Sequence, residues 1–161
     1  MPEIPADVVA LLNSSLVAEL TVLDAHGNPH TDPLIPMWDG EHILMTSSIL
    51  FSRKLERIKG NPKVCLSLSD PMACTVEPFL RATIQGEARV IDDDVHSSWE
   101  RVLPLWTSKE PVVTKIMRLR FALPLFWERS IIEITPRRVF RWIEGDTTRA
   151  PEVFDVSVVA A

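Results

Sequence analysis

The turn signals between residues 24 and 40 constrain the fold more than any other part of this sequence. Asp24-Ala25-His26-Gly27-Asn28-Pro29 is a turn by composition, and Asp39-Gly40 is a strong hairpin signal. Three segments rich in β-formers surround them: Leu16 to Leu23, Thr31 to Trp38 and His42 to Thr46. Links this short leave no room for a crossover helix, so neighbouring strands run antiparallel. Pro33 and Pro36 interrupt the second segment. Proline cannot donate to a ladder, which places that strand at a sheet edge or gives it a bulge.

The rest of the chain extends the pattern. Ala6 to Asn13 reads as a short helix, and Lys63 to Ser69 as a strand of alternating character. Pro71 to Pro78 is a loop. Phe79 to Ile91 is a long strand in which Gly86 marks a bulge or a close approach of backbone. Asp92-Asp93-Asp94 opens a helical region that runs to about Arg120 and is broken near Pro104 and Pro111. Ser130 to Trp142 is a further strand, bent at Pro136, and Gly145 onward is a tail or a weak final strand. The expected class is mainly β with flanking helices, six or so mostly antiparallel strands curling into a closed or partly closed barrel. At 161 residues the chain is expected to form a single domain, 1–161.

One local conflict points to function. Ser52-Arg53-Lys54 opens a helix of about Ser52 to Lys59 that stops at Asn61-Pro62, with Leu55, Ile58 and Phe51 on its apolar side. A helix start carries partial positive charge and favours Asp or Glu, yet here it holds two cations. An anion at that end resolves the conflict, with backbone N–H groups, the Ser52 hydroxyl and both cations converging on it. A phosphate is the natural candidate. A solvated basic face shared with Arg57 and Lys59 is the plainer alternative.

Composition narrows the partners. The net charge is −5, which argues against general affinity for nucleic acid or anionic membrane. No apolar run approaches the ~18 residues of a membrane span, and the start lacks the basic region of a secretory signal. Cys65 and Cys74 form no C-x-x-C; Cys65 reads as a buried thiol, and the pattern fits a reducing, cytoplasmic location. His26, His30, His42 and His96 have no ligand spacing, so no metal site is expected. No catalytic triad or carboxylate pair stands out, so no catalytic side chain is assigned.

Taken together, the hairpin from His30 to Ser48, preceded by Gly27-Asn28-Pro29, the triplet Ser52-Arg53-Lys54, Asn61-Pro62 with the strand after it, and the run from Phe79 to Val90 resemble a known family. The chain is similar to the flavin-binding split β-barrel proteins related to pyridoxamine 5′-phosphate oxidase, including their deazaflavin (coenzyme F420) branch. The resemblance covers about residues 8 to 94, with weaker support from Ile131 to Trp142. It implies a homodimer with flavin at the subunit interface, a small-molecule substrate and an oxidoreductase working by hydride or electron transfer. It also implies roles for particular residues. Ser52, Arg53 and Lys54 would grip the flavin phosphate, and Thr46, Ser47 and Ser48 would hold the ribityl chain or phosphate. Leu34, Ile35, Pro36, Met37 and Trp38 would lie along the ring, largely through backbone groups. The form of the triplet points to FMN, with F420 as the alternative.

Two features depart from pyridoxamine phosphate oxidation itself. The basic residues that the oxidase places beside the ring have no match, and neither does its C-terminal Arg-containing segment. The helical insert at about 95–127 is also long and apolar. Its Trp99, Leu103, Leu105 and Trp106 line a substrate pocket or pack the insert onto the barrel. Arg137, Arg138 and Arg141 form a second anion site or a solvated edge. A non-catalytic flavin or planar-cofactor carrier is the alternative function.

Overall fold

The computed structural model describes residues 4–50, 52–119 and 127–156. Helix α1 (Ala6–Ser14) leads into strands β1 (Ala18–Leu23), β2 (Pro29–Leu34), β3 (Met37–Trp38) and β4 (Ile43–Ser48). Helix α2 (Arg53–Gly60) follows, then β5 (Lys63–Leu68) and β6 (Arg81–Ile91). The insert carries a 3-10 turn and two short helices, α3 (Leu103–Lys109) and α4 (Val112–Met117). Strands β7 (Arg129–Trp142) and β8 (Glu152–Asp155) complete the described chain. Phe51 and residues 120–126 of the expected insert lie outside the described residues.

All strand pairs are antiparallel, in the order β2-β1-β5-β6-β7-β4-β3, with β8 also on β7. The expected single strand Thr31 to Trp38 is in fact two. β2 pairs with β1, and β3 pairs with β4 at the opposite edge of the sheet. Only Ile35 and Pro36 join them. A sheet whose two edges are tied by two residues has to curl until those edges meet, which produces the split barrel. The prolines explain the break. Pro33 sits on edge strand β2 opposite Glu19, and Pro36 falls in the crossing, where no ladder needs its missing N–H.

Alternate residues of the strands point into the barrel. Leu20, Ile43, Met45, Leu66, Ile84, Ile132 and Ile134 form its core with Val8, Leu11 and Leu12 of α1 and Leu55 and Ile58 of α2. The other face of β4 and β7 meets the insert. Met37, Leu44 and Ile131 pack on Trp99, Trp106 and Trp127. Trp99 stacks on Trp127 at 5.4 Å and meets Trp106 edge-on at 6.2 Å. Trp99 and Trp106 therefore dock the insert on the sheet, the packing alternative for that group.

Gly86 is the expected close approach. The β6–β7 register shifts there, with Gln85 opposite Arg138 and Gly86 opposite Pro136, so Arg137 is the extra residue of a bulge. A Cβ on residue 86 would lie 2.5 Å from the Thr135 carbonyl oxygen. At the β3–β4 turn Gly40 has φ +104, a conformation open to glycine. The final segment is strand β8, whose carboxylates claim two of the arginines: Arg138 pairs with Asp155, and Arg141 with Glu152 and Asp7. Arg137 pairs with Glu87. These arginines form carboxylate pairs, and the anion-site alternative for them does not hold. Cys65 is half-buried on β5 rather than fully buried, with its thiol pushed up by desolvation. No helix among the described residues is long and apolar enough to cross a membrane.

Candidate functional site

Strand β4 leads toward the start of α2 through a turn at Ile49 and Leu50. Ser52 occupies the N-cap position but does not cap the helix with its side chain. Its hydroxyl lies 2.8 Å from the Ser47 hydroxyl instead. The first N–H groups of α2 thus gain nothing from the Ser52 side chain, although the Leu55 N–H donates to the Ser52 carbonyl at 3.2 Å. At the other end, Asn61 accepts from Lys63 N–H and stops the helix.

A cavity of about 460 Å³ opens beside this helix start, lined by Ser52, Arg53, Glu56, Lys59, Asp92 and Ser130, among others. That volume lies within the usual range for small-molecule sites. Ser130 stands opposite Ser47 across the β4–β7 ladder. It is fully buried, and its hydroxyl has no partner among the described residues. A buried hydroxyl without a hydrogen bond is costly, so natural folds keep few of them unless a ligand completes them.

The charges are distributed more narrowly than the sequence led us to expect. Lys59 borders the cavity, but its ammonium is held by Asp92 at 2.8 Å and by Glu56 at 3.3 Å. The Asp92 hydrogen bond raises the Lys59 pKa. Lys54 turns away toward β2 and meets Asp32 at 3.8 Å. The expected convergence of Ser52, Arg53 and Lys54 is therefore partial, because adjacent helix residues project about 100° apart. Ser52 and Arg53 face the cavity and Lys54 does not. Among the described residues no carboxylate pairs with Arg53, which also borders a second cavity with Arg57 and Asp24.

Thr46, Ser47 and Ser48 divide in the same way, because strand residues alternate between faces. Ser47 belongs to the cavity side. Thr46 is buried on the opposite face, where the Arg129 guanidinium donates to its hydroxyl at 3.1 and 3.2 Å and to its carbonyl at 3.3 Å. Arg129 lies 5.0 Å from the Trp106 ring centre, and burial pushes its pKa down to about 10. Thr46 thus helps fasten the insert to the sheet. The Ser48 hydroxyl accepts from Leu50 N–H at 3.3 Å.

The stretch expected along a ring spans the β2–β3 crossing. Leu34 and Trp38 pack toward the barrel core, while Ile35 and Met37 pack toward the tryptophan cluster. β3 is an edge strand, and an edge presents backbone N–H and C=O groups that no neighbouring strand takes. Among the described residues no group of His, Cys, Asp and Glu could hold a metal ion. Sequence reasoning missed Ser130, Arg129 and Lys109. Each acquires its place through a contact between residues 73 to 97 positions apart in the chain, or through the 83-residue pairing of β4 with β7.

The family model described as pyridoxamine 5′-phosphate oxidase matches residues 4–143. The chain belongs to this family. The matched residues include every residue named on the cavity wall. No curated protein matches the chain. Solved structures share the fold. A protein from Clostridium acetobutylicum related to general stress protein 26 of B. subtilis, of the pyridoxinephosphate oxidase family, has 18% identity and a TM-score of 0.65, covering 93% of this chain and 92% of that one. An F420 reductase has 21% identity and a TM-score of 0.57, covering 81% and 93%. HutZ, the heme storage protein from Vibrio cholerae, has 14% identity and a TM-score of 0.60, covering 94% of each chain. Within the pyridoxamine 5′-phosphate oxidase family, then, this chain is a mainly β split barrel whose insert is packed on by tryptophans.

Proposed function

We propose that this protein binds a flavin, FMN or F420, with the cofactor phosphate in the cavity at the start of α2, and acts as an oxidoreductase on a small molecule. The observation that carries this reading is the buried, unpartnered Ser130 hydroxyl beside Ser52 and Arg53. An anion there receives the Arg53 guanidinium, two hydroxyls and the helix N-terminus together. Family members bind flavins such as FMN or F420, in keeping with that chemistry. The bound flavin supplies the hydride or electron chemistry. The protein's own residues bind and orient. Arg53, Ser52 and Ser130 hold the phosphate, and the exposed backbone edge of β3 faces the ring. In this reading the protein is a homodimer with the cofactor at the subunit interface, and light scattering that returned a monomer would contradict it.

The test is the absorbance spectrum of the purified protein, followed by titration with FMN and with F420. Binding of neither at micromolar concentration overturns the reading. A carrier without fast turnover is the second reading. It is favoured by the pairing of Asp92 and Glu56 with Lys59, which leaves no uncommitted carboxylate on the named cavity wall. The heme storage protein that shares the fold points the same way. Cofactor binding with no turnover on any nicotinamide donor and acceptor selects the carrier.

A further inference from the structure

Lys109, the last residue of α3, is a half-buried cation that the site described above does not use. Its Nζ donates to three main-chain carbonyls: Leu12 at 2.5 Å, Ser15 at 2.8 Å, and Pro36. Two of these belong to the end of α1. A continuing helix would give the Leu16 N–H to the Leu12 carbonyl, but that N–H bonds the Ala73 carbonyl instead. The Leu12 oxygen is left without a helical donor in a residue with no solvent exposure. The last turn of α1 has no basic residue of its own, and a cation is favoured at a helix C-terminus. Lys109 supplies it from the insert.

The third carbonyl lies in the two-residue crossing that joins β2 to β3. An ammonium has three N–H donors, one for each carbonyl. The carboxylates on the elements that Lys109 ties together, and the one next to it in the chain, are engaged elsewhere: Asp7 with Arg141, Asp32 with Lys54, Asp39 with the N–H groups of Glu41 and His42, and Glu110 with Val112 N–H. Among the described residues none of these pairs with Lys109. Burial alone draws its pKa down, to about 8, so the ammonium persists at neutral pH.

We propose that Lys109 is a positioning residue for the cofactor ring, locking the Ile35–Met37 crossing to α1 and to the insert through the Pro36 carbonyl. This rests on the flavin reading above. Because the peptide between Pro36 and Met37 is planar, fixing its carbonyl fixes its rotation and holds Met37 in register with Leu44. The crossing is also where the barrel closes, and its proline, Pro36, has no N–H group of its own to anchor it. Lys109 therefore connects the insert to the stretch expected along the ring, with no contact to the phosphate cavity.

The test has two arms. In cofactor-free protein, hydrogen exchange is measured at the Ile35, Met37 and Trp38 amides for wild type and Lys109→Met. Loss of one charge-assisted bond is expected to speed exchange there by about tenfold, with β5 and β6 unchanged. In the second arm FMN and riboflavin, which lacks the phosphate, are titrated. Lys109→Met weakens both by the same factor and preserves their ratio, whereas Arg53→Ala collapses the ratio. Unchanged exchange at the crossing overturns the proposal, and so does unchanged riboflavin affinity. If wild type binds no flavin, the flavin reading and the ring-positioning role both fall, while the exchange arm still decides whether the latch exists. Should Lys109→Met not fold, Lys109→Gln is used: its shorter, neutral amide has two N–H donors for three carbonyls and loses the charge assistance, so exchange at the crossing is expected to speed by less than tenfold, and no change overturns the proposal.

Discussion

Replacing Ser130 with alanine should stabilise the cofactor-free protein and weaken it for its cofactor. In the folded chain the Ser130 hydroxyl is fully buried and has no hydrogen-bond partner among the described residues. Removing an unsatisfied buried hydroxyl recovers about 1–2 kcal/mol, which for a chain of this size raises Tm by roughly 2–8 °C. If FMN binds as proposed, the same hydroxyl donates to its phosphate, and losing a bond to a charged group costs about 1.5–3 kcal/mol, or roughly 10–100-fold in Kd. At an FMN concentration about 100 times the wild-type Kd, wild type gains about 2.7 kcal/mol from binding. A variant with a Kd raised about 30-fold gains about 0.9 kcal/mol under the same conditions. The variant's lead should therefore vanish or reverse. Ser130→Ala unfolds at the higher temperature without FMN and loses that lead with it. Thermal unfolding followed by circular dichroism, with and without FMN, reads both signs. A variant less stable than wild type without cofactor would show that the hydroxyl is already satisfied in the fold, and the cavity would lose its main claim to a ligand.

Gly86→Ala should destabilise the fold by about 1–3 kcal/mol, read as a lower urea midpoint at constant m-value, because its Cβ would meet a backbone oxygen at 2.5 Å that no rotamer can move. Trp99→Ala should cost about 3–5 kcal/mol in the same assay and erase much of the near-ultraviolet circular dichroism, since Trp99 is fully buried against Trp106 and Trp127. The folded protein releases the Lys109 proton near pH 8, while an unfolded lysine holds it to pH ~10.4. Between those values the unfolded state binds more protons, so this group's contribution to stability rises with pH, and the rise is lost in Lys109→Met. Melting temperatures of the two proteins across that window check the sign.

What the sequence disclosed depended on range. Turns at Asp24 to Pro29 and Asp39-Gly40, the α2 start at Ser52 and the bulge at Gly86 are set by neighbours along the chain, and each lies where its residues indicated. Pro33 and Pro36 signalled an edge. That one extended segment supplies both edges of a curled sheet became visible only from the pairing of β2 with β1 and of β3 with β4. The site divided along the same line. Ser52 and Arg53 were legible from a local electrostatic conflict. Lys54 was not, because its partner Asp32 comes from β2. Thr46 was read as a ligand hydroxyl, yet Arg129, 83 residues away, occupies it. Ser130 carried no local signal at all. It matters because the β4–β7 register sets it opposite Ser47 and leaves it buried on the cavity wall.

The most direct measurement compares wild-type affinity for FMN with that for riboflavin, which differs only in lacking the phosphate. If the phosphate sits among Arg53, Ser52, Ser130 and the start of α2, FMN binds on the order of 100-fold more tightly, worth about 2.7 kcal/mol. Equal affinities would mean that this helix start holds no cofactor phosphate.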